Sequence, residues 1–325
     1  MIGNLSRGCF IATLAIIILG PIAFTSIAAA GSTLTIGKAA PNADPIIPVN
    51  VGDQLGIFKK HGLDLKITDF GGGSKMAQAI AAGAIDIGAG AGTEMAFVSK
   101  GAPMIAVCES TGPAPFLGVG VPWDSPIKSL AELKGKIIGV SNSGSFSDWS
   151  GHELARTQGW GPNGVTTVGI GGGPVPALAA LRTHQVDAAI GNTAQFLAFE
   201  ETKDGRLLAP VSSYEGNVAS GATFASNQLI ANNPDAIRAF LAAWIETIDY
   251  MKAHKAETVK IESALNHFSE SVMSREYDLT IGMFTKDCRF DAESLATLKR
   301  SFAEMKLVEG EPDMSKLYTE AYVPK

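Results

Sequence analysis

The sequence predicts an α/β protein built from two similar lobes. Strand-like and helical segments alternate with short links between residues 32 and 110, which is typical of a layered, largely parallel sheet with helices on both faces. Residues 117–222 then repeat this order. Within the repeat, residues 69–95 and 169–195 both run strand, three glycines, helix, strand and helix. This internal echo indicates two related lobes.

Each element follows from the spacing of its apolar residues. Alternation and β-rich composition predict strands at 32–39, 63–70, 84–90 and 104–110. Helical periodicity predicts helices at 74–82, at 93–100 and at about 148–158. Val51, Leu55 and Phe58 also have helical spacing, and a Ser-Leu-x-x-Leu stretch at 129–133 predicts a short helix.

The C-terminal third departs from the repeat. A strand near 223 is followed by a long helix that opens with Asn233-Pro234-Asp235, where proline suits the first turn and the acid suits the helix dipole. The remainder is predicted to be helical and to pack back on the first lobe.

Composition bounds the function class. The chain has 325 residues, of which 46% are hydrophobic and 18% charged, so a large folded core is expected. The net charge is −6 and no run of basic residues occurs, which argues against nucleic acid as a partner.

Residues 1–30 are predicted to be a secretory signal peptide. Arg7 is the only charge before Lys38, an apolar run covers 10–24, and Ala28 and Ala30 are spaced as signal peptidase requires. We expect cleavage after Ala30. A membrane anchor is the alternative, but the apolar run is short for a span.

Export leaves two cysteines, Cys108 and Cys288, in the mature chain. An exported protein can form a disulfide, but a single distant pair gives no framework signal. The sequence favours two buried thiols and leaves their pairing open.

Two glycine-rich turns are the main candidate binding features. Gly71, Gly72 and Gly73 precede a helix, and backbone N–H groups at a helix N-terminus bind anions. A plain strand-to-helix turn capped by Ser74 is the alternative. The second copy, at Gly171–Gly173, favours binding, because both turns are expected at the carboxyl ends of strands that face one crevice.

Other polar residues follow predicted strands. Gly92 and Thr93 in the first lobe and Asn192 in the second stand at helix starts. Glu94 is interpreted as a first-turn acid favoured by the helix dipole, or as a ligand for a cationic group; the first is favoured.

The stretch 141–149 is rich in hydrogen-bond donors. Asn142, Ser143 and Ser145 are candidate ligand contacts, and an N-cap made by Ser147 with Asp148 in the first turn is compatible with them. Phe146 or Trp149 could stack on a ligand or belong to the core, and so could Phe116 and Trp123.

Motifs for catalysis, nucleotides and metals are absent from the sequence. No Gly-x-Ser-x-Gly elbow, Gly-x-x-x-x-Gly-Lys-[Ser/Thr] loop or dinucleotide fingerprint occurs. None of the five histidines forms a pair with metal-ligand spacing and a third partner. We therefore expect no catalytic residue, no metal and no cofactor.

The chain resembles the periplasmic substrate-binding proteins of nitrate, sulfonate and taurine ABC importers. The resemblance rests on the signal peptide, "GIFKKHGLDLKI", "GGGSKMAQAIAAGAIDIG" and "SLAELKGKIIGVS", in that order. It covers about 33–322 and implies the two-lobed type II periplasmic-binding-protein fold, with a ligand between the lobes. It also implies ligand contacts in the loop after the first strand and in the 141–149 loop.

The resulting assignment has lobe 1 at 31–119 and 224–325 and lobe 2 at 120–223, with crossovers near 119–121 and 222–225. The function expected is capture of a small anionic or polar solute, such as a sulfonate, nitrate, taurine or a small carboxylate, for an inner-membrane ABC permease. We expect a periplasmic monomer. The candidate ligand residues are Asn42, Gly72, Gly73, Ser74, Gly92, Thr93, Asn142, Ser143, Ser145, Phe146, Gly172, Gly173 and Asn192.

Two alternatives stay open. The same fold serves thiamine-pyrimidine synthases. Those enzymes are cytosolic and carry a cysteine-rich iron motif, whereas this sequence has a predicted signal peptide and no cysteine cluster. The second alternative is a binding protein that serves a sensor or chemoreceptor. The sequence identifies neither the ligand nor its charge.

Overall fold

Two five-stranded mixed sheets organise the chain. The structure, a computed structural model, describes Met1, residues 32–40 and residues 43–325; residues 2–30 of the predicted signal peptide and Asn42 lie outside these residues. The first sheet has the order β2-β1-β3-β10-β4 and the second has the order β7-β6-β8-β5-β9. The strands are β1 (Ser32–Lys38), β2 (Leu63–Asp69), β3 (Ile87–Gly90), β4 (Met104–Thr111), β5 (Leu117–Pro122), β6 (Ile137–Val140), β7 (Thr166–Gly169), β8 (Ala188–Asn192), β9 (Gly205–Pro210) and β10 (Gly221–Ser226).

The helices flank these sheets and fill the C-terminal third. They are α1 (Ile47–Gln54), α2 (Ile57–Lys60), α3 (Gly73–Ala81), α4 (Met95–Ser99), α5 (Phe146–Thr157), α6 (Pro174–Arg182), α7 (Thr193–Thr202), α8 (Ser212–Glu215), α9 (Asn227–Asn232), α10 (Pro234–Ala253), α11 (Lys255–Asn266), α12 (Glu270–Thr280) and α13 (Ala292–Glu304). Short 3-10 turns lie at Asp44–Ile46, Gly92–Glu94, Leu130–Leu133, Ile281–Met283 and Met314–Lys316.

The two sheets share one topology, so the two related lobes predicted from the echo have a structural counterpart. In each sheet three neighbouring strands run parallel, and the fourth strand in the order is antiparallel to both of its neighbours. That antiparallel strand is β10 in the first sheet and β5 in the second. Each of them is the first strand after the chain has crossed from the other sheet.

The hydrogen bonds place the crossings slightly earlier in the chain than expected. β5 pairs along its whole length with β8 and β9, and β10 pairs with β3 and β4. The crossings therefore precede Leu117 and Gly221, whereas the sequence put them near 119–121 and 222–225. Strand membership is fixed by pairing across the sheet, which a local pattern does not report.

Several predicted elements differ in the structure. The segment 129–133 forms only a 3-10 turn, and the apolar spacing through Phe58 is split into α1 and α2. The split occurs at Gly56, whose φ of +69° ends α1 in the left-handed region. Beyond Glu304 the chain contains a 3-10 turn but no α-helix. There Tyr318 bridges to Ala106 beside the first sheet.

The first-lobe core joins the first sheet to the C-terminal helices. Phe58 of α2 stacks on Phe240 of α10 with ring centroids 5.1 Å apart, and Phe240 stacks on Trp244 at 6.3 Å. Leu298 and Phe302 of α13 are buried in the same core. As predicted, α10 begins after Asn233, whose side chain accepts a hydrogen bond from the Ala236 N–H. α12 also packs on α7 of the second lobe.

Cys108 and Cys288 form a disulfide. The sequence had favoured two buried thiols and left their pairing open; they pair because the chain brings the C-terminal segment, 180 positions further on, back against β4. Both residues are fully buried. The bridge ties the C-terminal segment to the first sheet.

Candidate functional site

Two neighbouring cavities lie where the strand ends of the two sheets meet, and Phe146 lines both. The first, here called the Glu94 cavity, has a volume of about 210 Å³. Its walls are Gly73, Ser74, Thr93, Glu94, Ala96, Phe97, Lys100, Gly144, Ser145, Phe146, Met305 and Leu307. Turns and helices that follow strands of both sheets, together with the C-terminal segment, therefore enclose it.

The second, here called the Gln195 cavity, has a volume of about 250 Å³ and belongs to the second lobe. Its walls are Leu117, Ser141, Phe146, Ser147, Ile170, Gly171, Gly172, Gly173, Ala177, Ile190, Gly191, Asn192 and Gln195. The predicted residues Gly73, Ser74, Thr93, Ser145, Phe146, Gly172, Gly173 and Asn192 thus line one or both cavities.

The N-terminus of α3 contacts a carboxyl group of the protein itself. A Cβ atom on Gly73 would lie 2.4 Å from Glu94 Cγ and 2.5 Å from Glu94 Cδ, so only glycine lets the backbone approach this side chain. Ser74 is exposed and does not cap the helix, whose N-cap is Gly72. The first glycine turn therefore packs against Glu94, which lies in the first turn of the 3-10 helix at Gly92–Glu94, as the favoured interpretation of the sequence had it.

Burial changes the acidity of Glu94. The side chain belongs to a residue only 7% exposed, and this burial raises its pKa to about 7. Thr93 Oγ1 donates to Glu94 Oε2 at 3.3 Å, and this bond and backbone hydrogen bonds lower the pKa without cancelling the effect of burial. Glu94 thus titrates near neutrality inside the cavity.

The second glycine turn differs from the first. Gly171 and Gly173 both have a φ of +91°, a region open to glycine. α6 begins directly after them with Pro174 and has no side-chain cap. Proline has no N–H to satisfy there.

Gln195 adds an unsatisfied donor to this cavity. The residue is 2% exposed, and its amide nitrogen has no hydrogen-bond partner in the described part of the chain. An unpaired buried polar group costs about 1–3 kcal/mol. The sequence offered no signal for it, because whether an amide is paired depends on tertiary contacts.

The 141–149 loop uses most of its hydroxyls internally. Ser145, not Ser147, caps α5, and its Oγ accepts the Asp148 N–H at 3.3 Å. Ser147 lies within the helix and its Oγ accepts the Ser141 N–H at 3.0 Å. Asp148 in turn accepts the Gly144 N–H at 2.7 Å. The loop is therefore held in a fixed shape beside both cavities.

The N-terminus of α7 is also occupied. The Ala194 N–H donates to Asn192 Oδ1 at 2.8 Å and to Glu276 Oε1 of α12 at 3.0 Å. Asn192 is therefore the cap of α7 as well as a wall of the Gln195 cavity.

The other predicted residues lie off these two cavities. Gly92 is a packing glycine, since a Cβ there would lie 2.0 Å from the Ala219 carbonyl oxygen. Asn142 is exposed, and Gly72 is the N-cap of α3 without lining either cavity. Ser143 lines a third cavity, of about 790 Å³, between α5 and the segment after α13.

Two predicted aromatic residues also lie elsewhere. Trp123 lines a small cavity near the C-terminal end of α6, away from the glycine turn. Trp149 is buried, and its Nε1 donates to Glu304 Oε2 of α13 at 2.7 Å.

A charged contact beside Trp149 joins α5 to α13. Glu153, whose side chain is fully buried, accepts hydrogen bonds from Arg156 of α5 and from Arg300 of α13. The two Arg300 bonds measure 2.8 and 2.9 Å. Burial raises the pKa of Glu153, but the hydrogen bonds with both arginines outweigh it and hold this pKa below its ordinary value.

Sequence reasoning also missed Lys38 at the carboxyl end of β1. The residue is 3% exposed, and its Nζ lies 2.9 Å from both Asp69 Oδ1 and Asn50 Oδ1. Its position at a strand end was the available signal. Among the described residues no group of three histidine, cysteine or acidic side chains is arranged to hold a metal ion. In that same part of the chain no helix is both long and apolar enough to cross a membrane.

Comparisons with known proteins place these features in a family. The family model described as "NMT1/THI5 like" matches residues 44–258. A Brucella abortus protein, named as a candidate binding protein, is 26% identical over 213 residues. The match covers 65% of this chain and 65% of that protein, so this chain spans about two thirds of the length of that relative.

Another relative is named as an enzyme, and one similar solved structure is named as a binding protein. The 4-amino-5-hydroxymethyl-2-methylpyrimidine phosphate synthase of Candida albicans is 26% identical over 80% of this chain and 77% of its own. The periplasmic aliphatic sulphonate binding protein SsuA of Escherichia coli superposes with a TM-score of 0.72 at 19% identity, covering 88% of this chain and 92% of SsuA. At that identity the likeness shows the fold, which is the periplasmic-binding-protein fold.

Proposed function

The chain belongs to the NMT1/THI5-like family, and from that premise we propose that it is the extracytoplasmic solute-binding component of an ABC importer. The observation that carries the proposal is the position of the Glu94 cavity. Its walls come from α3 and the turn before α4 on one side and from the α5 loop on the other. A solute bound there would contact both lobes.

Contacts with both lobes would couple binding to lobe closure. The chain crosses between the sheets twice, before β5 and before β10, and two connecting segments make a natural hinge. In the proposed mechanism residues 31–119 and 224–325 form one lobe and residues 120–223 form the other. The exceptions are the starts of two strands, because all of β5 lies in the second sheet and all of β10 in the first. The closed form then docks on a membrane permease.

The proposed solute is small and polar, such as a sulfonate, nitrate, taurine or a small carboxylate. The polar side chains of both cavities favour hydrogen-bonding groups. We also propose that residues 1–30 are cleaved after Ala30 on export to the periplasm. The mass of the exported protein tests this, because the mature chain should begin at Gly31.

An enzyme is the second candidate, because relatives are named as pyrimidine phosphate synthases. Among the described residues the cysteines are Cys108 and Cys288, which are bonded to each other. Binding without turnover is the activity that we propose.

Thermal shift and calorimetry on the mature chain test the proposal. Sulfonates, nitrate, small carboxylates and thiamine precursors are added singly, and a bound solute raises the melting temperature with its concentration. Mass spectrometry of the same mixtures checks that the bound solute is recovered unchanged. A solute that is converted, or a panel in which nothing binds, contradicts a role as a solute-binding protein.

A further inference from the structure

The helix N-termini around the two cavities are not equivalent. α3 faces the Glu94 carboxyl, α5 is capped by Ser145, and α7 donates to Glu276 and Asn192. Like α3, α6 has no side-chain cap, but its first turn contains Pro174 and Pro176, which have no N–H, and it starts behind three glycines in the wall of the Gln195 cavity. The Glu94 carboxyl group thus lies beside the start of α3 in the first lobe, and α6 in the second lobe offers few first-turn donors.

The Gln195 cavity carries a second, independent feature. The Gln195 amide nitrogen is buried and unpaired, and its side chain lines the cavity that α6 opens onto. An N–H donor left without a partner in the folded chain is matched by an acceptor on a bound molecule. The acceptor groups that suit this amide N–H are oxyanions and carbonyl oxygens.

The Glu94 cavity favours a hydrogen-bond donor on the solute, whereas the Gln195 cavity favours an acceptor. Glu94 is a buried acceptor whose side-chain partner is Thr93 Oγ1, 3.3 Å away. A carboxyl group in a cavity of low polarity favours an ammonium, amine or amidine N–H over a second oxyanion. Lys100 also lines this cavity but is exposed, so water screens its charge.

We propose that Gln195 and Glu94 set the polarity of the bound solute, with its acceptor group held by Gln195 and its N–H group held by Glu94. Phe146 lines both cavities, so the two are neighbours. This inference rests on the proposed binding function and narrows the solute to molecules that carry both groups. A simple inorganic anion satisfies only the Gln195 end.

Matched probes separate the two ends. Taurine, isethionate and ethanesulfonate share the sulfonate but differ in the far group, which is an ammonium, a hydroxyl or a methyl. 4-Amino-2-methylpyrimidine and its 4-methoxy counterpart form a second pair, and nitrate is the anion without an N–H. Calorimetry at pH 7.5 measures each Kd on the mature chain.

The wild-type chain should prefer the N–H member of at least one pair by about tenfold. Glu94→Gln should reduce that preference to about threefold or less, and Gln195→Met should weaken both members of the pair by a similar factor. Lys75→Gln, at an exposed residue of α3 that lines neither cavity, is the control and should leave the preference unchanged, whereas Lys100→Gln tests the other charge in the Glu94 cavity. Circular dichroism and the melting temperature show that each variant is folded.

The outcomes are distinguishable. Equal binding of both members of each pair, or nitrate binding that Glu94→Gln weakens, overturns this inference while the solute-binding function stands. A preference that Lys100→Gln abolishes and Glu94→Gln does not also overturns it. If no probe binds the wild-type chain, the inference and the proposed function fail together.

Discussion

At the scale of single residues, the first glycine turn is explained by one contact. Gly73 and Glu94 approach so closely that a Cβ atom does not fit between them. The sequence predicted that the turn needs glycine, but not that the reason is a carboxyl group 21 positions along the chain. That contact depends on β3 lying beside β1, which only long-range pairing establishes.

Gly73→Ala should therefore destabilise the protein by about 1–3 kcal/mol, because the new Cβ displaces a packed side chain. In a Glu94→Ala background the same change should cost about 0.5 kcal/mol or less, since the obstacle is gone. Urea unfolding of the four chains measures this coupling. Gly71→Ala is the control, because its Cβ would meet only Lys75 Nζ at 3.5 Å. Equal costs in both backgrounds would show that Glu94 is not the obstacle.

At the scale of elements, local patterns predicted most helices and strands within a few residues. α3 was predicted at 74–82 and runs Gly73–Ala81, because strong amphipathic periodicity and a glycine-rich start agree there. The predictions that were wrong concern segments whose structure is decided by tertiary contacts. The helix expected at 129–133 is a 3-10 turn, and α5 starts at Phe146 because Ser145 and not Ser147 is the cap.

The contact between α5 and α13 was not predictable from local pattern, and it carries a prediction. Arg300→Gln removes one of the two arginines that neutralise buried Glu153. We expect a loss of about 1–3 kcal/mol in the free energy of unfolding, because the remaining Arg156 leaves part of the carboxylate unsatisfied.

The neighbouring Lys299→Gln is the matched control. Lys299 pairs with Glu311, whose side chain is 81% exposed, and such a surface pair contributes about 0–1 kcal/mol. Denaturant midpoints of the two variants give the comparison. If both variants lose the same amount, the α5–α13 contact contributes no more than a surface ion pair.

At the scale of the whole molecule, the internal echo was the strongest predictor. Two repeats of strand, glycines and helix predicted two related lobes, and the two sheets have matching strand orders. The exchange of β5 and β10 between the lobes was not predictable in detail, because strand order comes from pairing between distant segments. The same long-range folding closes the disulfide and assembles the cavities.

Long-range folding also gathers buried carboxyl groups from both ends of the chain. Asp44 precedes α1, Glu262 lies on α11 and Glu276 on α12, and all three are buried. Burial raises the pKa of Asp44 to about 7 and that of Glu262 to about 8. Burial, with the nearby Asp44 and Glu262 carboxyls, also raises the pKa of Glu276 well above its ordinary value. The folded state therefore holds protons that the unfolded chain releases near pH 4.

The pH dependence of stability follows from these shifts. A carboxyl whose pKa is higher in the folded state stabilises the protein fully below its unfolded pKa, and this contribution is lost as pH rises through the folded pKa. The free energy of unfolding should thus fall between pH 5 and pH 9, with each pKa unit equivalent to about 1.4 kcal/mol. Urea unfolding at pH 5, 7 and 9 measures the slope. Glu262→Gln should flatten it, because an amide does not titrate, whereas exposed Glu311→Gln should not. A wild-type stability that is constant or rises across this range would mean that these carboxyls are not held protonated in the fold.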